Sequence, residues 1–260
     1  HKFKKTSSEP CRKKLSLSLL RMIMEKHSER LSRMSFSQTF VMSNKVREMK
    51  AKGLDVISLT LGEPDFDVPK NIKEAAFEAI NNNFSHYSPV PGFLDLRQAI
   101  CDKLKRDNNI DYLPSQICVS NGAKQAILNV LASVLNDGDE VILPAPYWVS
   151  YDEMVKMMGG TSVFVETSIE TEFKITAEQL EKAITPKTKV LLYSSPCNPS
   201  GSVYTYEELE KIANVIARYP QITIISDEIY EFINYDGKHT SIAEFPQGYE
   251  QTAVINGMSK

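Results

Sequence analysis

From residue 117 to the end, short apolar runs alternate with segments of helical period, and that alternation limits the fold more than any other feature. The runs at 117–119, 141–143, 162–165, 190–193, 222–225 and 254–255 are near-continuous in Val, Ile and Leu. Strands covered on both faces have this composition, whereas half-solvated strands alternate apolar with polar residues. Between them, 123–135 places Ala123, Ala126, Ile127, Val130, Leu131, Val134 and Leu135 on one helical face. Further helices are expected at 151–158, 177–184 and 207–218. Strands separated by helices of this length predict βαβ units, hence an α/β fold with a mainly parallel sheet flanked by helices. In such sheets ligands gather beyond the carboxyl ends of the strands. Gly122, Trp148, Asn198, Asp227 and Lys260 each follow one of the apolar runs.

Upstream, 41–53 reads as an amphipathic helix stopped by Gly53, and 55–61 as a short strand ending in Gly62-Glu63-Pro64. Helices are expected at 71–80 and 94–106, with a Tyr-Ser-Pro-Val-Pro-Gly loop at 87–92 between them. Residues 1–33 carry ten Lys/Arg against three Glu, a composition foreign to the rest. We read them as a leader or N-terminal extension, disordered or upstream of a start near Met22 or Met24. An organelle transit segment is the alternative.

The totals exclude several classes of function. A net charge of −3 without a basic, aromatic-laced face gives no footprint for nucleic acid. No apolar run approaches the length of a membrane span. Cys11, Cys101, Cys118 and Cys197 are widely spaced and contain no CxxC pair. They read as reduced thiols of a cytoplasmic protein, with no disulfide frame and no metal site.

The strand-end residues form a chemical set. Ser120-Asn121-Gly122-Ala123-Lys124 opens a helix with small residues, where exposed N–H groups and the helix dipole favour an anion. Trp148, the only tryptophan, offers a flat ring for stacking or plain core packing. Two prolines bracket Asn198, which either presents its amide to a ligand or closes its own turn. Asp227 ends a buried strand, where a carboxylate is costly unless a cation or strong donor meets it; capping the next turn is the structural alternative. Lys260 follows Ser259 after the last apolar run, an unremarkable position by itself.

Together these segments resemble the fold-type I pyridoxal-phosphate enzymes, specifically class I aminotransferases of the bacterial aspartate aminotransferase type. The resemblance runs from Ser32 to Lys260. Its marks are Leu61-Gly62-Glu63-Pro64-Asp65-Phe66, His86-Tyr87-Ser88-Pro89, Asn121-Gly122-Ala123-Lys124-Gln125-Ala126, Pro146-Tyr147-Trp148-Val149-Ser150-Tyr151, Pro196-Cys197-Asn198-Pro199-Ser200-Gly201, Ser226-Asp227-Glu228-Ile229-Tyr230 and Asn256-Gly257-Met258-Ser259-Lys260.

The resemblance implies pyridoxal 5'-phosphate as cofactor, bound through a Schiff base to Lys260. It implies that Asp227 pairs with the pyridine nitrogen, that Tyr230 and Asn198 hold the ring oxygen, and that Trp148 stacks on the ring. Gly122, Ala123 and Lys124 would bind the phosphate. Gly62, Trp148 and Asn198 would touch the amino-acid substrate, and Thr39 would line its side-chain pocket. Tyr87 would reach the phosphate of the neighbouring subunit, which implies a homodimer. The implied organisation is an arm and small-domain segment at 34–66 and a cofactor-binding large domain at 67–260. The implied reaction moves an amino group between an L-amino acid, aspartate or glutamate foremost, and a 2-oxo acid, with prephenate or aromatic oxo acids as variants.

Two departures qualify this pattern. Many members carry a hydroxyl residue three positions before the lysine, where this chain has Gly257. The family's arginines for phosphate and for the α-carboxylate come after the lysine, beyond residue 260. A polypeptide ending at Lys260 is therefore expected to be inactive by itself. Competing readings are a carbon–sulfur lyase on the same scaffold, which would release pyruvate and ammonia, and a non-catalytic aminotransferase-like module.

Overall fold

The computed structural model describes residues 27–35, 38–60, 62–235 and 237–260, apart from the side chains of 38–40. Most of the leader, residues 1–26, lies outside the described residues. Where its description begins, Ser28 caps the single helical turn α1 (Glu29–Ser32). Next come α2 (Gln38–Ala51), α3 (Lys70–Asn81), α4 (Leu94–Asn108) and α5 (Ala123–Val134). From there the chain alternates through β1 (Glu140–Ala145), α6 (Ser150–Met157), β2 (Thr161–Glu166), α7 (Ala177–Ala183), β3 (Thr188–Ser194), α8 (Tyr206–Ile216), β4 (Thr223–Asp227), α9 (Pro246–Tyr249) and β5 (Thr252–Ile255).

The five strands form one sheet in the order β2-β1-β3-β4-β5, and every pairing is parallel, as the continuous apolar runs predicted. Side chains leave alternate faces of a strand, so each run splits between two cores. On one face Ile142, Leu191 and Ile224 pack against Leu209, Ile212 and Ile216 of α8. On the other, Leu143, Leu192 and Ile225 pack against Ile127 and Leu131 of α5 and Val155 of α6. Leu143 is fully buried. Its replacement by alanine should lower unfolding free energy by about 2–5 kcal/mol in a urea titration, through lost burial plus the cavity.

The chain runs one way from β1 to β2 and the other way from β1 through β3 to β5. Strand order therefore reverses between β1 and β3, which opens a crevice beyond their carboxyl ends, the usual ligand position in open parallel sheets.

Two expected strands do not form. Residues 55–60 carry no strand, and Leu61 lies outside the described residues. Ile57 and Leu59 are 88% and 93% exposed, so the run has neither a pairing partner nor a core. Residues 117–119 are not a strand either. The Val119 N–H donates to Pro91 O at 3.0 Å instead. Here the 87–92 loop comes so close that a Cβ on Gly92, at φ +99°, would lie 2.6 Å from Val119 Cγ2. An apolar run supplies strand propensity, but a strand exists only where a neighbour accepts its hydrogen bonds.

Candidate active site

At the carboxyl ends of the sheet, β1, β3, β4 and β5 each contribute one part. β4 ends on Asp227, whose side chain is 3% exposed. One carboxylate oxygen, Oδ2, accepts the Tyr151 hydroxyl at 2.6 Å, and Oδ1 accepts the Ile229 N–H at 3.3 Å. Burial raises the Asp227 pKa, and these two donors only partly offset it. Tyr151 sits in the first turn of α6 and is itself buried. Burial first, then the Asp227 charge, hold its phenol well above the ordinary tyrosine range, so it remains a donor. Among the described residues no cation pairs with Asp227. A carboxylate can accept about four hydrogen bonds, so this one has capacity left for a positively charged partner.

The turn after β1 places Trp148 edge-on against Tyr151, with ring centroids 5.4 Å apart at 86°. On the Trp148 ring lies the Lys124 ammonium, 4.8 Å from the centroid. Lys124 is the second residue of α5, whose N-cap Gly122 has φ +82° and no capping side chain. A Cβ at Gly122 would meet nothing within 4 Å, so the backbone of this helix start is open to approach. The N–H groups of Ala123 and Lys124 have no intrahelical acceptor.

Beyond β3, the cis Ser195–Pro196 and Asn198–Pro199 peptide bonds bracket Asn198. Tyr230 is half-buried, and its phenol is raised by burial and then by Asp227, with the nearby Asn198 amide opposing. Lys260, beyond β5, brings its Nζ to 5.8 Å from the Tyr230 ring centroid. The strand ends thus assemble two linked groups: Lys124–Trp148–Tyr151–Asp227 and Asn198–Tyr230–Lys260.

The other expected site residues stand apart. Gly62 is exposed with open space around it. Tyr87 is fully exposed, at 105%. No hydrogen bond or ring contact among the described residues links either to the cluster, and the Thr39 side chain lies outside those residues. At Gly257, a Cβ would meet Ile229 Cδ1 at 3.0 Å. Ile229, the residue after Asp227 and Glu228, therefore crowds the position where the resemblance leads us to expect a hydroxyl residue. Sequence reasoning missed Tyr151 as the Asp227 partner. Its one visible signal was its place three residues after Trp148, on the first turn of a helix.

A family model described as aminotransferase class I and II matches residues 54–260. The chain belongs to this family. The aspartate/prephenate aminotransferase of Cereibacter sphaeroides is 48% identical over 235 residues, 90% of this chain and 59% of that protein. The aspartate aminotransferase of Bacillus sp. strain YM-2 is 49% identical over 235 residues, 90% of this chain and 60% of its own. Among solved structures, Thermus thermophilus aspartate aminotransferase with maleate superposes with a TM-score of 0.86 at 41% identity, covering 90% of this chain and 60% of that one. The chain thus spans about 60% of the length of the relatives it matches.

Aspartate aminotransferases of this family use pyridoxal 5'-phosphate. The residues present fit that group. The buried, cation-free Asp227 carboxylate suits a protonated ring nitrogen, the open start of α5 beside Lys124 suits a phosphate, and Lys260 supplies an amine in the same crevice.

Proposed function

We propose that the full-length protein is a pyridoxal-phosphate-dependent aminotransferase acting between an L-amino acid, aspartate or glutamate foremost, and a 2-oxo acid. The observation that carries this reading is the buried Asp227 carboxylate, held by Tyr151, with the Lys260 amine beyond the adjacent strand. When bound, the cofactor supplies an electron sink for the charge left at a substrate α-carbon.

The chain's own residues do the rest. Asp227 holds a proton on the ring nitrogen by offering it a buried negative charge. Tyr151 keeps that carboxylate in place by donating to Oδ2. Asn198 and Tyr230, close to one another, present donors for the ring oxygen. Trp148 offers its ring for stacking, and with Asn198 and Gly62 it contributes to substrate binding. Gly122, Ala123 and Lys124 bind phosphate at the start of α5. Lys260 takes the proton from the substrate α-carbon and later returns one. Thr39 lies near the substrate side chain in this reading.

In the same reading, residues 67–260 are the cofactor-binding large domain and 34–66 the arm and small-domain segment. The protein acts as a homodimer in which Tyr87, wholly exposed here, reaches the neighbouring site. Among the described residues no helix is long and apolar enough to cross a membrane, and Cys101, Cys118 and Cys197 are free thiols. Both suit a cytoplasmic enzyme.

Reduction of the cofactor-loaded full-length protein with borohydride, followed by peptide mass analysis, should place a pyridoxyl group on Lys260. Coupled assay should show aspartate and 2-oxoglutarate consumed in equal amounts. Label on another lysine, or release of pyruvate and ammonia without need of an oxo acid, would refute the reading.

A further inference from the structure

The turn that carries Asp227 and Tyr230 has a second side that the proposed chemistry does not use. Beyond β4 the backbone winds tightly: the Glu231 N–H donates to Glu228 O at 3.0 Å and the Ile233 N–H to Tyr230 O at 2.8 Å. Asp227, the last residue of β4, turns its carboxylate to Tyr151. Glu228 and Glu231, three apart across the turn, bring carboxylate oxygens within 4.8 Å of one another, with partners of their own.

Both glutamates are buried, 1% and 7% exposed, and both are held. Glu228 Oε1 accepts the Ser226 hydroxyl at 2.9 Å and the Ser241 hydroxyl at 2.7 Å. Its Oε2 lies 2.9 Å from His239 Nε2, and its backbone N–H donates to Ile255 O at 2.8 Å on β5. Glu231 forms an ion pair with Lys103 of α4, and its Oε2 accepts the Asn108 side-chain amide at 3.2 Å. Lys103 Nζ also donates to Asn108 Oδ1 at 2.8 Å.

We propose that Glu228 and Glu231 are positioning residues, which fix Asp227 and Tyr230 for the cofactor by anchoring the back of their turn to His239 and Ser241 and to Lys103 and Asn108. Each side chain that faces the crevice thus has an anchored neighbour one position further along. Truncating a partner in a buried, charged hydrogen-bond network leaves the other group without compensation. Losing an anchor therefore frees the turn to shift, and Asp227 and Tyr230 move with it. Glu228, Glu231 and His239 also offer ligand atoms within 4.8 Å of one another, the spacing of a loose metal cluster. Lys103 already supplies the cation at Glu231, so the charge of this cluster is met from within the chain.

This inference rests on the aminotransferase reading. Its test uses the full-length protein with pyridoxal 5'-phosphate, comparing Glu228→Gln, Glu231→Gln, Ser241→Ala and Ser241→Thr. Two quantities are read: the cofactor dissociation constant by equilibrium dialysis, and the pH midpoint of the bound cofactor's absorbance. The melting temperature of the cofactor-free protein is recorded beside them. The glutamine variants should weaken binding about tenfold and displace the absorbance midpoint. Ser241→Ala removes one donor and keeps both charges, so it should weaken binding about threefold, with Ser241→Thr restoring it. Unchanged dissociation constant and midpoint in Ser241→Ala and in every glutamine variant that folds, whatever happens to the melting temperature, would reduce the network to general stability and overturn the proposal. Loss of cofactor from the unmodified protein on chelator treatment would make the cluster a metal site and overturn it too. An unmodified protein that binds no cofactor would remove the functional reading itself, which separates the two failures.

Discussion

Lys260→Ala in the full-length protein should abolish amino transfer, lowering kcat by about 10⁴ or more, while the fold stays intact. A positioned general base contributes roughly 10²–10⁴, and this lysine is the amine that the structure places 5.8 Å from the Tyr230 ring. The side chain is half-buried beyond an edge strand, and its Nζ contributes no ion pair among the described residues. Removing it therefore costs little packing, and the melting temperature of the cofactor-free protein should hardly move. Stopped-flow mixing with aspartate and oxo acid, with circular dichroism as the fold control, checks both parts. Turnover within tenfold of the unmodified protein would mean that another base carries the proton.

Asp227→Asn should have effects of opposite sign with and without cofactor. Burial raises the Asp227 carboxyl above the ordinary value of 3.8. The folded chain therefore keeps that proton to higher pH than the unfolded chain does. The group's contribution to stability is full below about 3.8 and is lost as pH climbs through the raised folded value. At neutral pH the cofactor-free protein holds a buried charge with two donors and no cation. Asparagine keeps the shape and still accepts the Tyr151 hydroxyl through its one amide oxygen; it removes the charge and gives up only the long 3.3 Å acceptance from the Ile229 N–H. The cofactor-free variant should thus be as stable as its parent, or more stable by about 1 kcal/mol at pH 7, with that advantage vanishing below about pH 4. With cofactor the order reverses. The ring nitrogen loses its counter-charge, affinity should fall at least tenfold, and kcat by about 10³, within the range of one lost electrostatic partner. Thermal melts at pH 4 and 7, with and without pyridoxal 5'-phosphate, test the pattern. A cofactor-free variant destabilised by more than about 2 kcal/mol at pH 7 would contradict it.

The parts legible in the sequence are those fixed by local pattern. The runs at 141–143, 190–193 and 222–225 announced buried parallel strands because both of their faces are apolar, and helices followed from the 3.6-residue period. The two runs that form no strand, at 55–60 and 117–119, fail for a non-local reason: among the described residues no neighbouring strand lies beside them to pair, and Val119 is met by the 87–92 loop instead. The site divides in the same way. Asp227 was visible because a carboxylate at the end of an apolar run needs an explanation. Tyr151 was not, because an aromatic residue in a helix reads as core, and its partner lies 76 residues away. His239 and Ser241 were equally hidden. A histidine in a polar loop has no signature until the fold brings it to 2.9 Å from Glu228.

The strand order β2-β1-β3-β4-β5 has a consequence for how the molecule is built. Among the described strands, each one after β1 joins an edge of those already formed: β2 on one flank, then β3, β4 and β5 in turn on the other. None of these five has to be inserted between two that are already paired, so this part of the sheet can grow outward in the direction of synthesis. Trp148, Asn198 and Asp227 are in place when β4 has docked, and Lys260 comes with β5. Assembly thus orders these groups: the residues that would surround the ring come first, and the amine joins them afterwards.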